Sequence, residues 1–347
     1  MEPQMNPNWN NFVSEQKYEN RISANKSSKF CEASQQSWIS ALQGYAVLSV
    51  SGEDAASFLQ GQITSNVLDL KKDTVSLSAF CNPKGRVIAS FTLVCLQEMT
   101  QYWLVLPSEL VEKVEKKLRM YVLRSKVIIE NHSNNFCVFG ISSVLKQGGS
   151  LTNPLTDLVG EDSLAGQMTV FNVDSMRWMM IGEFSVATRL WKKLVSEQEY
   201  SVVDDSHWVL ANIQAGIPSL TETTSELFVP QMLNLDALQA ISFEKGCYTG
   251  QEVVARMHYL GKLKRRMYLA KYQGDLLPVP SEPVYSNDDS TTVGQIVNIV
   301  ATESNQFYLL AVIQIDQARC VDLCLSESGG DTLKFLNLPY TFEGQDE

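Results

Sequence analysis

The residues best equipped for chemistry in this 347-residue chain cluster at positions 241–256, ISFEKGCYTGQEVVAR. Cys247 supplies a soft thiol which, as thiolate, is a nucleophile and a ligand for soft metals. Gly246 and Gly250 bracket Cys247 and Tyr248, and glycines permit tight turns and close approach of a ligand or another chain segment. Lys245 and Arg256 bring positive charge, which favours thiolate where it lies beside a thiol. The same residues fit a plainer picture, because free cysteine is among the most buried residue types and one beside glycine can be a packed small side chain. The two pictures differ in whether the sulfur faces solvent.

The other thiols argue against a metal centre. Cysteines stand at 31, 81, 95, 137, 247, 320 and 324, an odd number at irregular spacing, so reduced thiols are expected rather than a disulfide framework. Only Cys320 and Cys324 are close together. A strand through ARCVDLCLS would put both on one face by its period of two, where they read as small apolar side chains in a sheet wall. Clusters and zinc sites need more ligands than this, and His132, His207 and His258 form no motif with the pair. No permanent metal is expected, which leaves Cys247 as a transient ligand or redox-sensitive thiol. No P-loop, dinucleotide fingerprint, nucleophile elbow or zinc-protease motif stands out.

These residues need a scaffold, and its elements are readable. YAVLSVSG from Tyr45 alternates as a strand, and SGEDAASFLQGQIT follows as a helix with Ser51 and Asp54 at capping spacing. Strands are expected near 77–81, 87–96 and 102–106, with a turn at NPKG, 82–85. Val111, Val114, Leu118, Tyr121 and Val122 share one face of a helix over 108–123, and SKVIIE returns to strand. A second α+β unit is expected from Phe136 through RWMMIGEF and a helix over 188–197. Asp204 or Ser206 could cap a further helix through Trp208 that stops at Gly216 and Pro218. Beyond Gly261, short alternating runs predict a small β-barrel or sandwich. The first 36 residues, rich in Asn, Ser, Gln and Glu, read as a mobile extension.

Bulk properties narrow the setting. Hydrophobic residues make up 44% of the chain, yet no stretch approaches the roughly 18 uninterrupted apolar residues of a membrane helix. The N-terminus has neither the basic start nor the apolar run of a secretory signal, so a cytoplasmic location without membrane contact is expected. A formal net charge of −11 repels polyanions on average and leaves RNA contact to a local basic patch.

Lys245 to Glu252, KGCYTGQE, closely resembles the signature of the YgfZ family, relatives of the glycine-cleavage aminomethyltransferase. LQGQIT (59–64), NPKGR (82–86), HWVLANIQAGIP (207–218), FVPQMLNLDAL (228–238) and LPYTFE (338–343) fall in the family's order, so the resemblance covers about 40–345. It implies an α+β fold: two interleaved aminomethyltransferase-like, folate-binding domains over 37–260, then a C-terminal β-barrel over 261–347, around a central opening. It further implies tetrahydrofolate or a derivative as ligand, and iron–sulfur enzymes or their assembly proteins as partners. Those enzymes include ones that methylthiolate tRNA, so contact with tRNA itself is expected to be indirect. Cys247 becomes the functional thiol, with Lys245 and Tyr248 beside it and Gly246, Gly250, Gln251 and Glu252 completing the motif.

Two family tryptophans associated with folate match Tyr45 and Trp208. The first is a departure, since tyrosine stacks with a smaller ring; core packing is the plain alternative for both. The related transferases carry a catalytic aspartate to manage the proton at the folate nitrogen, and here the matching positions are Ala89 and Ser90. The relatives' aminomethyl transfer is therefore disfavoured, leaving one-carbon transfer through another acid and a non-catalytic scaffold as alternatives. Lys262, Lys264, Arg265 and Arg266 form the strongest basic run. It suits a folate glutamate tail, a tRNA phosphate, an acidic protein, or a strand edge guarded by charge.

Overall fold

The computed structural model of the protein describes residues 6–23, 37–143, 168–197, 200–303, 305–320 and 322–342. Strand β1 (Trp38–Ala41) opens one sheet, but the chain leaves it at once to build another. Strands β2 (Tyr45–Ser51), β3 (Val75–Cys81), β4 (Val87–Gln97), β5 (Gln101–Pro107) and β6 (Ile128–Asn131) form an antiparallel sheet ordered β3-β4-β5-β2-β6. The chain then returns to β1 with β7 (Phe136–Ser142), β8 (Met168–Asn172), β9 (Arg177–Glu183) and β10 (Ser201–Val203), ordered β10-β1-β7-β9-β8. Only the β1–β10 pair is parallel.

Alternation decides what each face packs against. Along β2, Ala46, Leu48 and Val50 enter a core shared with helices α2 (Ala55–Gln60) and α3 (Val111–Val122). Val47 enters a second core between the two sheets, with Trp38, Val105, Val138 and Trp208. Helix α3 buries Val111, Val114 and Leu118 as its spacing predicts, whereas Tyr121 is 37% exposed. A third core lies on the far side of the β1 sheet, under α4 (Phe184–Glu197).

The C-terminal unit is a curled six-stranded sheet resembling a half-barrel. Its strands are β11 (Arg265–Gln273), β12 (Pro283–Ser286), β13 (Thr292–Glu303), β14 (Gln306–Gln314), β15 (Leu323–Cys324) and β16 (Lys334–Leu336), ordered β15-β12-β13-β14-β11-β16. An isolated bridge, Cys324 to Thr332, ties β15 to the residues just before β16. Helix α5 (Ser206–Gln214) lies where this unit joins the two sheets, since Leu210 and Ile213 share a core with Leu269 and Leu310.

Three expectations are corrected. Residues 7–23, read as part of a mobile extension, form helix α1 (Pro7–Ser23). Trp9, Phe12 and Val13, spaced i, i+3 and i+4, are buried against Trp191 and Phe139; residues 1–5 and 24–36 lie outside the described residues. Asp54 precedes α2 but makes no side-chain cap to it, because its Oδ2 accepts the Lys126 backbone N–H at 2.7 Å. Cys320 ends a short helix, α7 (Ile315–Cys320), so it and Cys324 do not share a strand.

Candidate functional site

The segment around Cys247 is sewn along the loop that follows α2. Thr64 Oγ1 donates to the Ala240 carbonyl at 2.7 Å, and Ser242 N–H donates to the Thr64 carbonyl at 2.9 Å. Lys245 Nζ donates to the carbonyls of Ile63 and Ser65, both at 2.7 Å. Thr249 closes the seam, its N–H reaching the Gly61 carbonyl at 3.1 Å and its hydroxyl Gln62 Oε1 at 3.2 Å. The LQGQIT and KGCYTGQE segments are thus two sides of one interface.

The NPKGR turn forms a third side. Gly250 has φ +84°, and a Cβ there would lie 2.5 Å from the Asn82 carbonyl oxygen and 3.0 Å from Gly85 Cα. Both the left-handed backbone and the close approach call for glycine. Gly250 precedes helix α6 (Gln251–Tyr259), and Gln251 Oε1 reaches back to accept the Tyr248 N–H at 3.1 Å. Glu252 is exposed in the first turn.

Within this frame the thiol and its neighbours diverge. Cys247 is exposed, as is Gly246, whereas Lys245 and Tyr248 are buried. The Lys245 ammonium lies 5.2 Å from the Tyr248 ring centroid, committed to two carbonyls. The charge expected to stabilise a Cys247 thiolate is therefore turned into the protein. Burial lowers the Lys245 pKa to about 7 and raises that of the Tyr248 phenol. Cys81, at the end of β3, is the opposite of Cys247: buried, its thiol is pushed up to about 12 by desolvation.

Tyr45 and Trp208 meet elsewhere, lining both a hollow of about 210 Å³ and a smaller one of about 40 Å³. α5 supplies Trp208 and Asn212 to both, and residues of the β2 sheet and the half-barrel complete the larger one. A buried relay sets the wall: Arg177 Nε donates to Asp174 Oδ2 at 2.7 Å, Arg177 NH1 to Asn212 Oδ1 at 2.7 Å, and Asn212 Nδ2 to the Tyr45 hydroxyl at 3.1 Å. Burial raises the Tyr45 phenol pKa. Trp208 is only 1% exposed; Arg177 covers its ring at 5.0 Å and Trp38 packs edge-on at 6.3 Å. The open flat face expected of Trp208 is therefore taken, and Tyr45 is the more accessible ring. The Trp208 side chain also interacts with the Tyr45 hydroxyl, which offsets part of that rise in the phenol pKa.

Strand alternation separates the two positions matched to the transferase acid. Ala89 enters the hydrophobic core, while Ser90 lines the smaller hollow and its hydroxyl donates to the Pro218 carbonyl at 2.9 Å. The carboxylates that do line the larger hollow, Glu109 and Asp205, escaped notice in the sequence because they stand 19 and 115 residues beyond Ser90. No residue of 241–256 lines either hollow.

Comparison with known proteins gives this arrangement a family. Residues 21–143 match the GCVT N-terminal domain. The tRNA-modifying protein YgfZ of Colwellia psychrerythraea strain 34H is 30% identical over 300 residues, covering 84% of this chain and 85% of that protein. The tRNA-modifying protein YgfZ of Yersinia pestis strain Pestoides F is 27% identical over 307 residues, covering 86% and 91%. This chain belongs to the YgfZ family.

Its fold is that of the aminomethyltransferases. The glycine cleavage system aminomethyltransferase T of Bartonella henselae superposes with a TM-score of 0.65 at 12% identity, covering 88% of this chain and 86% of that one. In this YgfZ-family chain the basic run divides. Arg266 pairs with both carboxylate oxygens of Asp236 at 2.6 and 2.8 Å and lies 4.6 Å from the Phe342 ring centroid, while Lys262 and Lys264 are exposed before β11. Among the described residues no group of three or more His, Cys, Asp and Glu is placed to hold a metal, and no helix is long and apolar enough to cross a membrane.

Proposed function

We propose that this YgfZ-family protein binds a tetrahydrofolate derivative in the hollows beside Tyr45 and Trp208 and supports iron–sulfur enzymes through Cys247. Such enzymes include those that methylthiolate tRNA. One observation carries the reading: the exposed thiol is held outside the aromatic-walled hollow, so its geometry suits a second macromolecule better than a ligand bound in that hollow. The division into two folate-binding domains over 37–260 and a C-terminal barrel over 261–347 is part of the same proposal, as is the cytoplasm as its location.

The hollow's chemistry fits a folate ring. Tyr45 offers part of a ring face, Val209 and Ile213 offer apolar wall, and Asp205 and Asn298 bring polar groups. Folate, when bound, would carry a one-carbon unit. The protein's own residues orient it, with Asn212 held by Arg177 and holding the Tyr45 hydroxyl. A serine at position 90 gives no carboxylate for proton transfer at that point.

Glu109 and Asp205 support a second reading, a one-carbon transferase that uses an acid from the larger hollow's wall. Titration of the purified protein with tetrahydrofolate and its 5-formyl form, followed by an aminomethyl-donor turnover assay, separates the two. Binding without turnover is expected. Turnover that is lost in Glu109→Gln or Asp205→Asn would establish the transferase, and absence of binding would leave a scaffold.

A further inference from the structure

The folate hollow and the thiol loop leave unused the outer end of α6 and the loop leading to β11. Phe243 and His258 stack there in parallel, with centroids 3.8 Å apart and planes at 11°. Tyr259 meets both rings edge-on, at 6.3 and 4.8 Å, and is itself 64% exposed. Leu260 beside it is 84% exposed. Interleaved with these rings are Arg256, Lys262 and Lys264, all exposed, and no salt bridge engages any of them among the described residues.

An edge-protection role does not account for these charges. Strand β11 pairs with β14 along its whole length, and on its other side Leu269–Lys271 pair with β16 while the Met267 backbone bonds to the Asn234 side chain, so the lysines before it guard little open edge. Nor does the patch resemble the centre of a protein–protein interface, where lysine is depleted. Exposed rings beside uncompensated cations are the combination by which single-stranded nucleic acid is held, bases stacking on rings while cations follow the phosphates. The exposed acids Glu244 and Glu252 and the net charge of −11 weigh against a long polyanion. They leave room for a short, local contact with unstacked bases.

We propose that the α6 end and the following loop dock a single-stranded RNA loop, with Tyr259 and His258, the latter backed by the half-buried Phe243, stacking bases and Arg256, Lys262 and Lys264 contacting phosphates. Helix α6 has nine residues, so at about 1.5 Å per residue the docked loop would lie on the order of 12 Å from the Cys247 end of the helix. The site is separate from the folate hollow and stands or falls without it.

The test is fluorescence anisotropy of the full-length protein with a labelled RNA stem-loop, and with a blunt RNA duplex as control, over a salt series. The stem-loop is expected to bind more tightly than the duplex. Tyr259→Ala should weaken it by about tenfold while Tyr259→Phe retains binding, as stacking predicts. Lys262→Ala with Lys264→Ala should flatten the salt dependence by about 1.4 in log–log slope, from about 0.7 per phosphate contact on a single strand. These residues are exposed, so unchanged thermal unfolding would certify the variants. No binding at low salt, equal binding of the duplex, or binding indifferent to both sets of substitutions would overturn the proposal. So would an acidic partner protein that needs Lys262 and Lys264 and is not displaced by the stem-loop.

Discussion

The two regions carrying this protein's candidate chemistry are built on opposite plans. Around Cys247, backbone carbonyls, a lysine and hydroxyls fasten one loop to another, and the thiol is exposed at the seam. Around Tyr45 and Trp208, aromatic and aliphatic side chains fill the space between two sheets, with a single polar relay through Arg177 and Asn212. A loop tied by many polar bonds can present a small side chain whose replacement leaves the fold alone. A hollow lined by core residues cannot be altered without altering stability. The contrast therefore predicts where function and stability separate and where they move together.

Cys247→Ser makes the sharpest separation. In cells lacking the endogenous protein, this variant should restore little or no iron–sulfur enzyme activity or tRNA methylthiolation, while its unfolding free energy stays within about 0.5 kcal/mol of wild type, as for other exposed sites. Full rescue would remove the thiol from the mechanism. Trp208→Ala should show the reverse coupling. Its ring is fully enclosed, so truncation should cost about 3–5 kcal/mol, and because that ring walls both hollows, their collapse rather than a lost stacking face should lower folate affinity, measured by calorimetry, by more than in Tyr45→Ala. Loss of stability with unchanged affinity would make Trp208 a core residue only.

Lys245→Met tests the seam. It leaves the Ile63 and Ser65 carbonyls without their donor, at about 1–3 kcal/mol for each buried group left unpaired. The pH dependence has a definite sign. Burial lowers the folded-state pKa from 10.5 to about 7, so across that range the unfolded chain holds the proton more tightly, and Lys245 makes stability rise with pH. Denaturant unfolding of both proteins across that range should show the wild-type advantage over Lys245→Met smallest near pH 7 and growing towards pH 10.5. A constant difference would mean the ammonium is better solvated than its surroundings suggest. In Lys245→Met, hydrogen exchange of residues 61–65 should also quicken, which a purely local loss of packing would not produce.

Much of this was legible in the sequence, for identifiable reasons. The strands of the β2 sheet and helix α3 follow from period and turn residues, because local pattern alone specifies them. The motif around Cys247 was visible as a string, and its three-sided packing was not: Lys245 finds partners 180 and 182 residues away, and no spacing rule reports such contacts. Helix α1 was hidden by its polar composition, although Trp9, Phe12 and Val13 carry the helical spacing that marks it. At Ala89 and Ser90 the sequence supplied alternation without saying which face was which, and the packed sheets decide it.

Tyr45→Phe should have the smallest effect and bears most directly on the contrast between the regions. The ring is half-buried at the junction of both hollows, and its hydroxyl ends the relay by accepting from Asn212 at 3.1 Å. Removing only the hydroxyl should cost about 1 kcal/mol of stability, the net worth of one ordinary hydrogen bond. Asn212 keeps its bond to Arg177, so the wall should hold its shape. If the ring makes the ligand contact, Tyr45→Phe should retain nearly all folate affinity and Tyr45→Ala should lose more. Should the two variants lose affinity equally, the hydroxyl is the contact and the hollow recognises its ligand through the relay. The hollow would then share the polar logic of the thiol loop, and titration of Asn212→Ala, which cuts the relay one step earlier, should reproduce the same loss.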